Sequence, residues 1–478
     1  MTMNMKKILS LMLISVILFS CSEDKMDEVN KDRNNATEMQ SKNLLPDLML
    51  KSAFESTATD IAWYTTVYIE HNAGTWNQSH QADHRVAQNA SSLLNNSWNS
   101  IYDVMNIAQT IINKTDPETG IEPTEFYCRS IAQILMAYNL AIATDGWGEV
   151  PYTEAFKGLD NINPSFDKQS ALYPEIQRLL DDAIVNMGKA TNAFTYPVKD
   201  YIYGSLGAAG SRAAWVKTAY ALKARYALRL TKINGVQAAQ AALAAIPNAY
   251  TSLSDAMLLN GFEVALPGSN PWGEFWYWRD HLSVSTTIYD LMTARNDPRA
   301  DAYFSSTDPA DIAPIGTADQ VQGGYSQSLF TSGWDAMASP ILMFTFHELK
   351  FIEAEAKFRV GDATWTTSLQ EAIQASFDFV GVDGAADYYA NDVAPKLTAG
   401  NELKEILTQK YIAFFDREAI EAYNDYRRTG FPEMKNPNNA TVGFIWRFPW
   451  ALSEVSSNSA NVPSFTIFDK VWWAGGNE

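Results

Sequence analysis

Apolar residues recur at helical spacing along most of the chain from residue 46 onward. In residues 213–232 they fall on a single stripe of one helix. These positions are Trp215, Ala219, Leu222, Tyr226 and Leu230. The same spacing predicts helices over residues 98–114, 124–144, 171–188, 344–359, 367–379 and 402–423. Strand signals are weak because apolar and polar residues seldom alternate, so the pattern predicts a mostly α fold.

Long polar segments separate these helices. They are rich in Gly, Pro, Ser and Asn and cover residues 115–123, 189–212, 261–278, 305–340 and 384–400. Irregular loops of this length in a compact domain usually carry function. Helix pairs joined by loops indicate stacked helical hairpins of the tetratricopeptide kind, with degenerate units because no period of about 34 residues recurs. No linker divides residues 46–478, which we predict to form a single domain.

The first twenty residues read as an export signal. Lys6 and Lys7 precede an apolar run over residues 8–19, which is too short for a membrane span of roughly 20 residues. The run ends in Leu-Phe-Ser followed by Cys21, which resembles a bacterial lipobox. We therefore predict that residues 1–20 are removed and that Cys21 is lipidated. The alternative is a plain secretory signal with a chance cysteine.

Residues 22–43 are polar, and we predict that residues 21–45 form a lipidated tether. Acidic residues directly after Cys21 resemble the surface-export signal of some outer-membrane lipoproteins, although they also suit a simple solvated tether. A cysteine that carries two or more acyl chains anchors a protein stably. The remaining chain has no apolar run of membrane-spanning length, so we expect membrane attachment through the N-terminal lipid alone.

The formal net charge of −19 restricts the range of partners. An acidic surface repels phosphate backbones and anionic lipid headgroups, so we expect no nucleic-acid binding. An uncharged ligand is compatible with this field. The chain has two cysteines, and once Cys21 is acylated Cys128 has no partner for a disulfide or a cysteine-based zinc site. Cys128 lies in an apolar helical stretch and is predicted to be a buried thiol.

Motifs for catalysis are weak. The chain contains no P-loop and no nucleophile elbow. His80 and His84 have metal-ligand spacing, but a third ligand and a general-base glutamate are not evident, so we expect no metal and no cofactor. Asp145 and Glu149 in a Gly-rich turn are one carboxylate pair that could converge. A surface glycosidase remains the alternative, but we expect a protein that is not an enzyme.

The most suggestive segment is aromatic. Residues 270–279 include five aromatic side chains within seven positions and follow a Gly- and Pro-containing stretch, so we expect the segment to begin in a loop. Trp and Tyr present a broad apolar face that can stack on a sugar ring, whereas sugar hydroxyls need amides or charged groups. Core packing is the competing explanation, and we expect half of these aromatics to be buried. The predicted ligand-binding residues are Trp272, Glu274, Trp276, Trp278 and Arg279, with Trp76 and Asn77 from a smaller segment of the same kind.

Short blocks along nearly the whole chain occur in a characteristic order. They cover residues 18–21, 145–155, 166–169, 215–217, 227–230, 296–299, 348, 354–356, 409–413, 426–432 and 447–449. On these blocks the chain resembles the SusD/RagB-like nutrient-binding outer-membrane lipoproteins. Tyr411 and Tyr426 stand where related chains often have Trp.

This resemblance implies a mostly α-helical scaffold of four degenerate tetratricopeptide-like units with a binding face built from loops. It implies an outer-membrane lipoprotein, facing the cell exterior, that passes a captured oligosaccharide or peptide to a SusC-type TonB-dependent transporter. No individual binding residue is implied. A scaffold that only stabilises its transporter is the structural alternative.

Overall fold

Helices make up most of the computed structural model, which describes residues 26, 39–90, 94–190, 199–436 and 443–478. The predicted signal peptide, the lipidation site Cys21 and nearly all of the predicted tether up to residue 38 lie outside the described residues. In the part that is described, no helix is both long and apolar enough to cross a membrane. The prediction of a mostly α fold is confirmed.

The first half of the chain folds into nine helices over the residues that the structure describes. They are α1 (Ser41–Thr57), α2 (Asp60–Tyr68), α3 (Asn77–Asp83), α4 (Asn95–Lys114), α5 (Phe126–Trp147), α6 (Gln169–Lys189), α7 (Gly207–Arg229), α8 (Thr231–Asn234) and α9 (Val236–Ala245). Helix α1 begins five residues before the predicted domain boundary at residue 46, so the end of the predicted tether is helical.

The second half contributes further helices, several of them short. They are α10 (Pro271–Trp278), α11 (Thr286–Thr293), α12 (Ala300–Tyr303), α13 (Trp334–Met337), α14 (Phe346–Val360), α15 (Trp365–Val380), α16 (Ala385–Tyr388), α17 (Glu402–Ala413), α18 (Ala419–Thr429) and α19 (Leu452–Ser457). Three segments that the sequence predicted as loops therefore contain α10, α13 and α16.

Two small antiparallel sheets complete the structure. Strand β1 (Asn72–Gly74) pairs with β3 (Leu282–Val284), and β2 (Met257–Leu259) pairs with β4 (Ile341–Phe344). Each strand has only three or four residues. Such strands are too short for a visible alternation of polar and apolar residues, which explains their weak sequence signal.

Neighbouring helices pack in pairs. α4 lies against α5, α5 against α6, α7 against α9, and α14 against α15. α9 also packs on α14, which joins the pairs of the two halves into one unit over Ser41–Glu478. The predicted stacking of helical hairpins is confirmed.

Helix α5 lies at the centre of the first set of pairs. Every residue from Ser130 to Trp147 is buried, because α1, α4, α6 and α7 surround this helix. Cys128 in the same helix is a free and buried thiol, as predicted, and burial raises its pKa to about 12. Gly148 ends α5 at φ +89°, a backbone conformation that L side chains rarely adopt.

Buried ion pairs join the central helices to one another. Arg229 of α7 contacts Asp145 of α5 at 3.3 Å and Glu421 of α18 at 2.5 Å. One turn earlier, Arg225 donates to Glu348 of α14 at 2.6 Å. An isolated charge in the interior is strongly unfavourable, so each of these groups needs its partner in place.

The same network continues along α14 and α18. Arg428 contacts Glu355 at 2.5 Å and Asp425 at 2.7 Å, and Lys410 of α17 contacts the second oxygen of Asp425 at 2.7 Å. We call these residues and the preceding pairs the buried ionic network. It links α5, α7, α14, α17 and α18.

The predicted helix over residues 402–423 is divided in two. α17 ends at Ala413 and α18 begins at Ala419, and Asp416 between them has φ +65°. The segment contains no Gly or Pro that would have signalled the break. The turn is instead held by buried hydrogen bonds to the Asp416 side chain, which come from distant parts of the chain.

We expect Glu355→Gln to destabilise the protein at neutral pH and to flatten its acid unfolding profile. Burial raises the pKa of Glu355, but the charges of Arg428 and Arg359 outweigh burial and hold that pKa at about 2. The unfolded state therefore takes up the proton first as the pH falls. The stabilisation from this carboxylate is complete above about pH 5, is lost toward about pH 2, and amounts to about 3 kcal/mol.

Denaturant unfolding at a series of pH values measures this effect. Glu353→Gln is the matched control, because Glu353 lies two residues away and pairs with Lys350 and Lys357 nearer the surface. We expect the control to change the free energy of unfolding by less than about 1 kcal/mol. Equal pH profiles for the two variants would contradict the role given to Glu355.

Candidate ligand-binding site

Helix α10 carries most of the aromatic segment that the sequence singled out. Asn270 caps its first turn, since its side-chain oxygen accepts a hydrogen bond from the Trp272 N–H at 2.8 Å. Pro271 follows at the first helical position, which its fixed φ favours. The segment begins at Asn270 in an irregular stretch, and the Asn-Pro helix start then places its aromatics on a helix.

Helix α10 lies in close contact with α13. A Cβ atom on Gly273 would lie only 2.6 Å from the Cα of Met337, so the two backbones approach to a distance that only glycine permits. The Asn270 N–H donates to the carbonyl of Met337 at 2.8 Å, and the Asn270 amide donates to that of Ser339 at 2.8 Å. These contacts fix α13 relative to α10.

The two sides of α10 have different environments. Trp272 is 5% exposed and Phe275 is buried beside it, so neither ring presents a face to a ligand. Trp276 is half-buried, and its indole N–H donates to Gln327 at 3.2 Å. Tyr277 is exposed and Trp278 is 66% exposed. Of the predicted binding tryptophans on this helix, we therefore keep Trp276 and Trp278 as candidates and assign Trp272 to the core.

Trp334, at the start of α13, extends the exposed aromatics of α10. It is 57% exposed, and its ring centroid lies 6.0 Å from that of Trp276 and 5.5 Å from that of Tyr277. The Tyr277 and Trp278 centroids are 4.9 Å apart, with the rings nearly perpendicular at 84°. We call Trp76, Trp276, Tyr277, Trp278 and Trp334 the aromatic rim.

The β1–β3 ladder brings Trp76 and Asn77 to the same corner of the molecule. Gly74 pairs with Leu282, and the Thr75 N–H donates to the carbonyl of His281 at 2.9 Å. Trp76 is 37% exposed and Asn77 is also exposed. The two aromatic segments of the sequence, about 200 residues apart, thus meet in space.

The predicted polar residues lie at this corner as well. Arg279 is exposed, and its guanidinium donates to Gln78 at 3.4 Å, next to Trp76 and Asn77. Glu274 is half-buried and accepts a hydrogen bond from the Ser269 hydroxyl at 2.7 Å. Glu274 lies one helical turn before Trp278, so the two residues share a face of α10.

A single buried carboxylate positions both sides of the aromatic rim. One oxygen of Asp416 accepts a hydrogen bond from Thr66 of α2 at 2.7 Å and another from the Asn72 amide of β1. The second oxygen accepts from Thr331 at 2.6 Å, three residues before Trp334. The turn between α17 and α18 therefore holds the strand that leads to Trp76 and the loop that leads to Trp334.

The other candidate chemistry does not assemble into a site. The rings of His80 and His84 stack with their centroids 4.0 Å apart. Among the described residues, no group of three His, Cys, Asp or Glu side chains could hold a metal ion. Asp145 is bound by Arg229 and Glu149 by Arg447, and both carboxylates are buried. This pair is part of the scaffold and does not form a solvent-accessible acid pair.

Two rim residues were missing from the predicted set. Tyr277 lies inside the aromatic segment but was not selected. Trp334 follows Gly333 in the long predicted loop over residues 305–340. Like Trp76, which lies two residues after Gly74, Trp334 stands close to a glycine in a polar stretch, so a comparable signal was available in the sequence.

The chain matches one known protein family over most of its length. The family model described as starch-binding and associating with the outer membrane, SusD-like, matches residues 33–448. No curated protein sequence matches the chain at a significant level.

Solved structures share the fold. A SusD/RagB family protein from Bacteroides thetaiotaomicron is 30% identical, with a TM-score of 0.82 over 92% of this chain and 100% of that one. A chitin-binding SusD homologue from Flavobacterium johnsoniae is 22% identical, with a TM-score of 0.74 over 91% of this chain and 98% of that one. A SusD homologue from Bacteroides fragilis is 17% identical, with a TM-score of 0.74 over 92% and 100%. The similarity to the last two structures shows a shared fold and nothing more.

We expect Gly273→Ala to destabilise the protein by about 1–3 kcal/mol, because the added methyl group forces α10 away from Met337. Gly188→Ala is the matched control, since Gly188 lies in helix α6 with no atom within 4 Å of an added Cβ. Alanine at that helical position should stabilise the protein by up to about 1 kcal/mol. Denaturant unfolding of both variants measures the difference, and equal stabilities would show that α10 and α13 are not in close contact.

Proposed function

The chain belongs to the SusD-like family of outer-membrane-associated proteins, and on this premise we propose that it captures glycans at the aromatic rim. We further propose that it is a lipid-anchored protein that delivers its ligand to a SusC-type TonB-dependent transporter without catalysis. The family model is described as starch-binding, and a protein of the same fold is described as chitin-binding. Both descriptions support a carbohydrate ligand.

The distribution of exposed tryptophans carries this proposal. The chain has 14 tryptophans, and the exposed ones are Trp76, Trp278 and Trp334. All three lie on the aromatic rim, although they come from separate segments of the sequence. An indole left in water forgoes roughly 1.5–3 kcal/mol of burial energy. Three such rings at one place are therefore better explained by a ligand than by folding.

The rim offers both kinds of contact that a sugar needs. The faces of the exposed rings can stack on the C–H groups of a pyranose, and Asn77, Gln78 and Arg279 supply hydrogen-bonding groups beside them. The rings are inclined to one another, at 84° between Tyr277 and Trp278 and 57° between Tyr277 and Trp334. Such a surface suits a bent, soluble chain better than a flat crystalline one.

The N-terminal sequence supports the anchoring part of the proposal. The lipobox-like sequence before Cys21 and the polar tether after it would hold the body close to a transporter in the same membrane. A tethered binding protein raises the local concentration of ligand at the pore, so individual contacts can be weak. The family's association with the outer membrane is consistent with this arrangement.

We expect Trp278→Ala and Trp334→Ala each to weaken glycan binding by roughly tenfold, because loss of one stacked ring removes about 1–2 kcal/mol. The melting temperature should stay within about 2 °C, since both rings are exposed. Affinity electrophoresis with soluble neutral polysaccharides and calorimetry with their oligosaccharides measure the binding.

Leu159→Ala is the control, because Leu159 is 96% exposed on a loop that contributes no residue to the rim. Unchanged binding in both tryptophan variants would exclude the rim as the site. Release of reducing ends from any tested polysaccharide by the wild type would instead favour the glycosidase alternative.

We expect Cys21→Ala to move the protein from the membrane fraction to the soluble fraction of its host cell. The variant lacks the thiol that would be acylated, and no described helix can cross a membrane in its place. Metabolic labelling with a fatty acid should mark the wild type and not the variant. A variant that remains fully in the membrane fraction would show that the lipid is not the anchor.

A further inference from the structure

Behind the aromatic rim, helices α2 and α10 face each other through a stacked ring pair. The Trp63 and Phe275 centroids are 4.3 Å apart with an interplanar angle of 28°. Asp60 lies three residues before Trp63, and Arg279 lies four residues after Phe275, so each charged residue shares a helical face with a stacked ring. The stack therefore places Asp60 and Arg279 on the opposing faces of the two helices.

His281 lies on another side of the same ring pair. Its ring meets Phe275 edge-on with centroids 5.6 Å apart, and it follows Arg279 by two residues. His281 is buried beside β3, whose pairing with β1 leads to Trp76. Trp63 and His281 thus pack against Phe275, and Asp60 and Arg279 lie close enough for the charge of Arg279 to lower the pKa of Asp60. We call these four residues the polar niche.

The polar niche has unsatisfied hydrogen-bonding groups. The indole N–H of Trp63 and Nδ1 of His281 are buried, and neither has a hydrogen-bond partner. The Asp60 carboxylate forms no hydrogen bond and no ion pair with any described residue, although it is only partly exposed. Buried polar groups without partners are rare in folded proteins, and each costs about 1–3 kcal/mol. Two of them beside the same Phe275 ring, together with a carboxylate that has no partner, indicate that something outside the chain completes them.

The electrostatics define what that partner can be. Burial and the charge of Arg279 lower the pKa of His281 to about 4, so its ring is neutral at physiological pH. Burial raises the pKa of Asp60 above its ordinary value while Arg279 opposes the rise. The niche therefore holds one acid, one base and two neutral ring groups, which is a mixture of hydrogen-bond acceptors and donors, and the nearby Glu55 adds negative charge beside Asp60.

We infer that the polar niche holds one uncharged sugar residue of the bound glycan through its hydroxyl groups, beside the stacking faces of the aromatic rim. This inference rests on the proposed function and assigns to Asp60, Trp63 and His281 a binding role that the sequence did not indicate. The Asp60 carboxylate accepts hydrogen bonds from adjacent hydroxyls, and Arg279 and the Trp63 indole donate to sugar oxygens. Hydroxyl groups, which both donate and accept, match every group in the niche.

The niche also sets a preference among glycans. A uronic acid residue would bring its carboxylate close to Asp60, within a protein whose net charge is −19. Like charges in a partly buried site repel strongly, because water screens them poorly there. Neutral polysaccharides should therefore bind more tightly than uronate-containing ones. High salt should reduce the part of the difference that comes from the net charge of the surface and leave the part that comes from Asp60.

The experiment compares wild type with Asp60→Asn, His281→Leu and the control Asp301→Asn in the full folded body. Asp301→Asn makes the same change in charge at an exposed position of α12. The probes are soluble neutral polysaccharides, their oligosaccharides, and polygalacturonate and alginate, measured by affinity electrophoresis and calorimetry at two salt concentrations. We expect Asp60→Asn and His281→Leu to weaken neutral-glycan binding at least about tenfold, the control to match wild type, and the uronate polymers to bind least.

The outcomes separate the two proposals. If wild type binds a neutral glycan and Trp278→Ala weakens binding but neither niche variant does, the niche is overturned and the rim remains the binding site. If uronate polymers bind wild type as tightly as neutral ones, the niche is overturned as well. If wild type binds no glycan at all, the proposed function fails and the niche assignment fails with it. Thermal melting shows whether each variant is folded. If one variant does not fold, the other variant and the comparison of neutral with uronate polymers on the wild type still test the niche.

Discussion

The buried ionic network is the constraint on which the rest of the structure depends. Charges in the interior are tolerated only when each has a partner at the right distance, so Arg229 and Arg428 fix the helices that they join. A displacement of α18 would separate Glu421 from Arg229 and Asp425 from Lys410, which would leave buried charges without their partners. The network therefore specifies one arrangement of α5, α7, α14 and α18. The segments that carry the aromatic rim connect to these fixed helices. Asp416, in the turn between α17 and α18, positions two of them through hydrogen bonds to Thr66 and Asn72 near β1 and to Thr331 before Trp334.

The buried ionic network explains why sequence motifs indicated the family clearly but gave little information about the ligand. Several of the blocks that carry the resemblance contain network residues, among them Asp145, Arg229, Glu355 and Arg428. These residues hold helices together and have no contact with the rim. The exposed tryptophans, by contrast, lie outside those blocks. The helical scaffold determines where their segments lie but does not require particular side chains there. Motifs of this kind predict a fold, and the ligand must be read from the side chains that the fold leaves exposed.

The fold itself was predictable where the signal was local. Amphipathic spacing located α4 and α6 within three residues at each end, because one buried face dictates the pattern. It failed at Asp416, where the helix breaks because of hydrogen bonds to Thr66, Asn72 and Thr331 that only the folded chain brings together. In the candidate site, the aromatic segments were found and their meeting was not, since the pairing of Gly74 with Leu282 spans about 200 residues. The choice of Trp272 illustrates the limit: composition shows that a helix is aromatic, and only packing shows which of its rings face water.

The separation between rim and niche has a physical consequence for how a ligand is held. Stacking on a ring face is tolerant of rotation and of the exact sugar, so under the proposed function Trp278 and Trp334 would hold many glycans loosely. Hydrogen bonds are directional, and in the proposed niche a half-buried acceptor such as Asp60 would favour only a sugar residue whose hydroxyls reach it. Breadth and selectivity therefore reside on different side chains within one corner of the protein. A protein that captures a ligand from dilute solution and then passes it to another protein would gain from this division. Loss of the directional hydrogen bonds in the niche would weaken binding, while stacking on the exposed rings would keep the ligand close until transfer.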